Sequence, residues 1–357
     1  MNDQLIQMLP LSESQSFLTG VYWWGIDVIK FIQGIENPVL TALMKFVAAL
    51  GTEVFYVPVI LIIFWWIDEN RGLRFAILII VSAWINAFFK DLWKQPRPFN
   101  LEPSVGLARE TSCGAPSGHS QMALTFWVPM AAWLSAKWKE KKHGTKNIPV
   151  EELGAPPSRA SLFIWTGAIF FVLLIGFTRL YLGVHFPTDL LAGWLLAAIV
   201  LSVYFFSYAR MEKLLVPAGM RLQSLCAALV AIAANGLYPK DRSLPAIFLG
   251  FCFGYIMMKK YFPFFASGEI NGKKPGVHIM LLRCLCGFAG MAIVFFGLRL
   301  IFPGEGSLFS GVSFWGKYSP FYDLGHFIRY TLLGFWISAG APRLFQFLGL
   351  AAKGKAL

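Results

Sequence analysis

The sequence predicts an all-α fold, a polytopic membrane helix bundle, and three observations carry that expectation. Hydrophobic residues make up 57% of the 357 and charged residues only 14%, where a soluble domain carries roughly a quarter charged. Mean hydropathy is +0.59, and apolar runs of bilayer-spanning length recur along the chain. Basic residues crowd the short loops between those runs, with Lys137, Lys139, Lys141, Lys142 and Lys146 in one and Lys259, Lys260, Lys273 and Lys274 flanking another. The formal charge of +12 therefore follows the positive-inside pattern and argues against a nucleic-acid partner.

Taken in order, the first fifteen residues have neither a basic start nor an apolar h-region, so no cleavable signal peptide is expected. Residues 16–50 are apolar but broken by Asp27, Lys30, Glu36 and Pro38; two interfacial helices, or one interfacial and one spanning, both fit. Clear spans follow at about 54–68, 73–93, 118–136, 160–178, 189–208, 219–237, 243–260, 277–302 and 321–342. Placing 137–159 in the cytoplasm puts Arg71 and Arg74, then Arg210, Lys213 and Arg221, then Lys259 to Lys274 on the same side. The opposite side receives 94–117, 179–188 and 303–320, which are richer in Pro, Gly, His and Arg. Cys113, Cys226, Cys252, Cys284 and Cys286 have no zinc or redox spacing, and four of them lie in apolar runs as small hydrophobes. No internal repeat is visible, so a transporter of duplicated halves gains no support.

Every dense polar motif lies before about residue 215. Lys90 is followed seven residues later by Arg97-Pro98; Pro116-Ser117-Gly118-His119 opens the next span; Arg179 is followed by His185 and then Asp189. The topology brings all three to one membrane face at helix ends, where ionisable groups are costly and call for a function. Lys90, Arg97 and Arg179 supply fixed positive charge for a phosphate, and an arginine fork can bind two oxygens. Ser117 and the Gly118 backbone N–H stand at a helix N-terminus, where unpaired donors and the dipole favour an anion. Asp189, one turn after His185, can fix the imidazole tautomer and free the other nitrogen to attack. His119 then serves as acid for the leaving oxygen and base for water. The reading is phosphoryl transfer without a metal or other cofactor.

These segments resemble the signature of the type 2 phosphatidic acid phosphatase superfamily, K-x6-R-P, P-S-G-H and S-R-x5-H-x3-D, with Thr178 standing where Ser is usual. The resemblance covers roughly residues 40–210. It implies a six-helix phosphatase core and the roles just given to His185, His119, Asp189, Lys90, Arg97, Ser117, Gly118 and Arg179. It also implies a site facing the periplasm, exterior or lumen, and no metal. The expected organisation is an N-terminal amphipathic and first core segment at 1–50, a catalytic core at 51–210, and about four accessory transmembrane helices at 211–357. The expected substrate is a membrane lipid: phosphatidate, phosphatidylglycerol phosphate, a sphingoid phosphate or a polyprenyl diphosphate. The expected location is a bacterial inner membrane. A lipid phosphotransferase, a glucose-6-phosphatase-like enzyme and an anion or lipid transporter are the alternatives; Asp189 argues against the second, and the complete histidine–aspartate set against the third. Glu110, Thr111 and Ser112 are candidates for the pocket entrance. In the last span Asp323, His326 and Arg329 form a polar stripe, with Arg283 and Arg299 expected to pair with Asp323.

Overall fold

The computed structural model describes residues 13–143, 158–270, 272–302, 314–316 and 318–352. Lys146 and most of its basic loop, the first twelve residues, and most of the 303–320 segment lie outside them. The described residues are helical, apart from connecting loops and an isolated bridge between Ile270 and Lys273. The helices are α1 (Glu13–Gln33), α2 (Pro38–Ala49), α3 (Glu53–Ile62), α4 (Glu69–Trp93), the single turn α5 (Pro98–Leu101), α6 (Gly118–His143), α7 (Arg159–Tyr181), α8 (Pro187–Leu215), α9 (Met220–Leu237), α10 (Ser243–Tyr261), α11 (Val277–Ile301), α12 (Tyr322–Phe335) and α13 (Ala341–Phe347).

Local sequence sets the helix ends. Asn37 caps α2 by accepting from Leu40 N–H at 2.9 Å, with Pro38 at the first helical position, where its missing N–H costs nothing. Ser158 caps α7 from Ser161 N–H in the same way. Asp68 ends the π turn Ile63–Ile67 and accepts from Asn70 and Arg71 N–H, so one side chain starts α4.

The membrane character shows in which side chains face outward. Phe163 on α7, Leu195 on α8 and Ile293 and Phe296 on α11 are exposed, whereas Arg97, Gln121, Thr125, Arg179 and Asp189 are buried. A water-soluble protein does not expose apolar surface on this scale; a lipid-facing one must. Among the described residues five helices are long and apolar enough to cross a membrane: α4 with its extension to Leu101, α7, α8, α9 and α11. The expected independent span at 54–68 is instead the second half of a pair, Pro38–Ala49 and Glu53–Ile67, bent by 45° and making one further crossing if taken together. Its twelve- and ten-residue α-helices reach only about 15–18 Å each at 1.5 Å per residue. The expected spans at 118–136, 243–260 and 321–342 are helical but fall short on apolar length, for which α6 carries a polar first turn and a basic end, and α12 its Asp, His and Arg.

The chain separates into two compact units, one of residues 1–52 and 89–199, the other of 53–88 and 200–357. In the first, Ile26, Ile29, Val105 and Phe186 form one buried cluster, and Met44, Ala48, Phe99, Tyr181, Leu182 and Val184 another. Gln33 donates to Val105 O and Tyr181 O, both at 2.8 Å, fastening α1 to the loops that follow α5 and α7.

In the second unit, Arg74 meets Glu212 at 2.7 Å and Lys259 meets Glu69 at 2.8 Å. The start of α4 and the ends of α8 and α10 thus share one end, as the loop charges require. Asp323 does not pair with Arg283 or Arg299 as expected; its partner is Arg242, at 2.8 Å. Arg283 is fully buried and donates through Nε and Nη1 to the carbonyls of Leu350, Trp65 and Ala266. Replacing it with Met leaves those buried acceptors unpaired, and Arg283→Met should cost about 2–4 kcal/mol, measured as a lowered thermal unfolding midpoint in detergent.

Candidate active site

All the site side chains singled out from sequence belong to the first unit. α4 stops at Trp93 because Lys94 takes a left-handed conformation (φ 48°) and Pro96 and Pro98 follow. The chain then doubles back through 94–117 to the start of α6. Gly114 N–H bonds Gln95 O at 2.8 Å, and the N–H groups of Leu107 and Ala108 both reach Leu182 O. These bonds lay the 94–117 loop against the α7–α8 connection. Only glycine fits at 183 in that connection: its φ is +65°, and a Cβ there would sit 1.8 Å from Val105 O.

His185 is buried in that connection, two residues before Pro187 opens α8. Asp189, in the first turn of α8, accepts Phe186 N–H at 2.9 Å, the carboxylate half of a capping box. The same oxygen, Oδ2, lies 3.2 Å from His185 Nδ1. A proton on Nδ1 donating to Asp189 leaves a lone pair on Nε2, which lies 3.3 Å from Arg97 Nη1. Burial, then the positive charges of Arg97, Lys90 and Arg179, hold His185 well below its ordinary pKa, so the ring is neutral and its free nitrogen is a base.

Arg97 is 1% exposed and uses its whole fork. Nε donates to Ser112 O at 2.6 Å, Nη1 to Val184 O at 2.8 Å, and Nη2 to Ser112 Oγ at 3.0 Å and Glu110 Oε2 at 2.7 Å. Arg179, at the end of α7, binds Glu110 Oε1 through Nη2, while its buried Nε has no hydrogen-bond partner. Lys90 donates to Cys113 O at 2.7 Å and Gly114 O at 3.2 Å; it meets the Cys113 carbonyl and not the thiol. Burial pushes the Glu110 carboxyl up, but Arg179 and Arg97 outweigh it and hold the group below the usual carboxylate range.

Ser117 is fully buried; its N–H is taken by Asp189 O at 2.9 Å, and its hydroxyl lies 3.1 Å from Ser120 Oγ. Gly118 N–H opens α6 immediately beside it. His119, in the first turn, is accommodated by the missing side chain at Gly51, where a Cβ would come within 3.0 Å of His119 Cδ2 and 2.7 Å of Ile175 Cγ2. Thr178 is fully buried and turns its hydroxyl onto Ile175 O at 2.7 Å.

The structure therefore gathers Lys90, Arg97, Arg179, His185 and Asp189 around one point, with Ser117 joined to Asp189 through backbone. It makes Ser112 and Glu110, both expected only at the entrance, a partner of Arg97 and the bridge between two arginines. Sequence offered one signal for the latter, an acid nine residues before His119 in a loop that returns to three cations.

Comparison with known proteins agrees with the motif. Residues 71–213 match the PAP2 superfamily, and residues 243–353 match the transmembrane extension of PAP2 superfamily phosphatases. The chain is similar to an undecaprenyl-diphosphatase of Sulfolobus acidocaldarius, 26% identical over 196 residues, 54% of this chain and 82% of that one. It is 26% identical over 182 residues to sphingosine-1-phosphate phosphatase 2 of Mus musculus, covering 50% and 46%. To phosphatidylglycerophosphatase B of Bacillus subtilis it is 29% identical over 170 residues, 46% and 74%. A crystal structure of a transmembrane PAP2-type phosphatidylglycerolphosphate phosphatase from Bacillus subtilis aligns over 54% of this chain and 87% of that one, at 24% identity and a TM-score of 0.43.

Arg97 fastens the loop before α6 to the loop before α8, and a lysine cannot reproduce its planar fork. Arg97→Lys should cost about 2–3 kcal/mol and speed proteolysis within residues 106–117, read by limited digestion in detergent.

Proposed function

The chain belongs to the PAP2 superfamily and is a membrane phosphatase of that family; we propose that it hydrolyses a lipid phosphate or polyprenyl diphosphate through a phosphohistidine on His185. The observation that carries this is the neutral His185, with Nδ1 on Asp189 and Nε2 directed at the Arg97 guanidinium.

In the proposed mechanism Arg97, Arg179 and Lys90 hold the peripheral oxygens of the phosphate, with the Gly118 N–H at the α6 N-terminus. His185 Nε2 attacks phosphorus in line, forming a P–N bond as the P–O bond to the lipid breaks. His119 protonates the departing oxygen, a lipid alcohol from a monoester or a lipid monophosphate from a diphosphate. His119, now neutral, takes a proton from water, whose oxygen attacks the phosphohistidine; inorganic phosphate leaves and His185 is restored. The charge that spreads over the phosphoryl oxygens in both transition states meets fixed cations that need no reorganisation. Lys90, Arg97 and Arg179 do the neutralising that a divalent cation would otherwise supply, so no metal is required.

Two things support a lipid substrate: apolar side chains surround the unit that carries the site, and the relatives are named for polyprenyl diphosphate, sphingosine phosphate and phosphatidylglycerol phosphate. The charge on the opposite loops favours a site facing the periplasm or exterior. Residues 51–210 then hold the catalytic core, and 211–357 are accessory.

Purified protein should release phosphate from a panel of polyprenyl diphosphate, phosphatidate, phosphatidylglycerol phosphate and sphingosine phosphate with EDTA present. His185→Ala should abolish release, and loss of activity in EDTA would refute the metal-free mechanism. Asp189→Asn keeps the shape but removes the charge that fixes the tautomer, and should lower kcat by about 10²–10⁴-fold in the same assay.

A further inference from the structure

The cationic cradle already holds an anion, and it is one of the chain's own. Glu110 Oε2 lies 2.7 Å from Arg97 Nη2, and Oε1 is hydrogen-bonded to Arg179 Nη2. A carboxylate bridging two guanidiniums is the arrangement a phosphate would adopt between them. We propose that Glu110 stands in for the substrate's phosphate in the resting enzyme, and that a phosphate enters only by displacing it, which makes Glu110 a specificity-determining residue. This inference rests on reading Arg97 and Arg179 as phosphate ligands.

Three observations favour displacement over a permanent brace. Glu110 satisfies the cradle incompletely: Arg179 Nε is buried without a partner, and the hydrogen bonds of the Lys90 ammonium go to two backbone carbonyls. A phosphate dianion, with a second charge and a third oxygen, can reach donors that a carboxylate leaves unused. The mobile partner is also identifiable, because the Glu110 side chain is 29% exposed while those of Arg97 and Arg179 are 2% and 4% exposed. Finally, Arg97 keeps its bonds to Ser112 O, Ser112 Oγ and Val184 O without Glu110, so the guanidinium stays in place when the carboxylate swings away.

The displacement sets a threshold for the incoming group. A singly charged phosphodiester or sulfate ester offers no more charge than Glu110 and gains little by replacing it. A terminal phosphomonoester or diphosphate, bearing two or more charges, outcompetes it. Apparent affinity is reduced by the fraction of enzyme in which the carboxylate occupies the cradle. Membrane phospholipids, which are phosphodiesters and vastly outnumber the substrate, are thereby kept out of the site.

The test is direct binding of inorganic phosphate to the full-length protein by calorimetry, with the singly charged ester methyl sulfate in parallel and KM and kcat for the preferred lipid. Glu110→Gln keeps the side chain's size and removes its charge. It should tighten phosphate binding at least about fivefold, lower KM to match, and let singly charged methyl sulfate bind. Glu110→Asp, a methylene too short to bridge both arginines, should tighten it by less. Unchanged or weaker phosphate binding in Glu110→Gln would overturn the proposal and make Glu110 a brace. Arg179→Ala separates the two readings: if it binds phosphate as tightly as the wild type, the cradle itself is misassigned, whereas loss of binding there with no gain in Glu110→Gln refutes only the stand-in.

Discussion

A guanidinium that is almost wholly out of contact with solvent, that of Arg97, joins segments that the chain order keeps far apart. It binds the loop before α6 through Ser112, the loop before α8 through Val184 and His185, and the carboxylate of Glu110. Burying such a charge carries a desolvation penalty of several kcal/mol, recovered only with a full set of partners. That requirement shapes the surroundings: two carbonyls, a hydroxyl and an imidazole arrive at fixed distances, and an anion, here the Glu110 carboxylate, completes the set. The histidine and the two loops are therefore positioned together, and none of them can move alone.

The second constraint is the solvent. In a membrane apolar residues can face out while polar ones turn inward, so the ordinary guide that exposed means polar fails here. Buried Ser, Thr, Gln and Arg cluster on α6 and α7, and α8 buries Asp189, while leucines such as Leu134, Leu162 and Leu195 face outward. Backbone groups away from water must be satisfied internally, which is why loops near the site are tied by carbonyl bonds such as Leu107 and Ala108 to Leu182. Asp189 serves both requirements at once. It ends an unpaired N–H at the start of α8 and fixes His185 with the same oxygen.

The second unit meets the same constraint with different chemistry. Arg283 has no carboxylate; its Nε and Nη1 donate to three carbonyls while Nη2 is buried without a hydrogen-bond partner, and the Phe264 ring lies beneath its guanidinium at 5.4 Å. Arg329 likewise donates to Phe302 O at 2.8 Å. Asp323 forms the kind of ion pair the polar stripe suggested, but with Arg242 at the start of α10 and not with the expected arginines of α11. A stripe at i, i+3 and i+6 shows which face of a helix is polar; it does not show what lies opposite.

That limit separates what the sequence determined from what the tertiary structure decided. Membrane class, most helix positions and the grouping of Lys90, Arg97, Arg179, His185 and Asp189 were legible because they depend on short-range rules. These are apolar run length, loop charge, and the one-turn spacing that lets Asp189 reach back to His185. The bend that makes α2 and α3 a broken pair was not legible, since each half is apolar and nothing local reports their angle. Nor was the Glu110 bridge, whose partners lie 13 residues before it and 69 after it in sequence. Ion pairs at that separation cost too much chain entropy to form from local preference; packing the loops against one another sets them, and the same packing put a carboxylate between two buried guanidiniums.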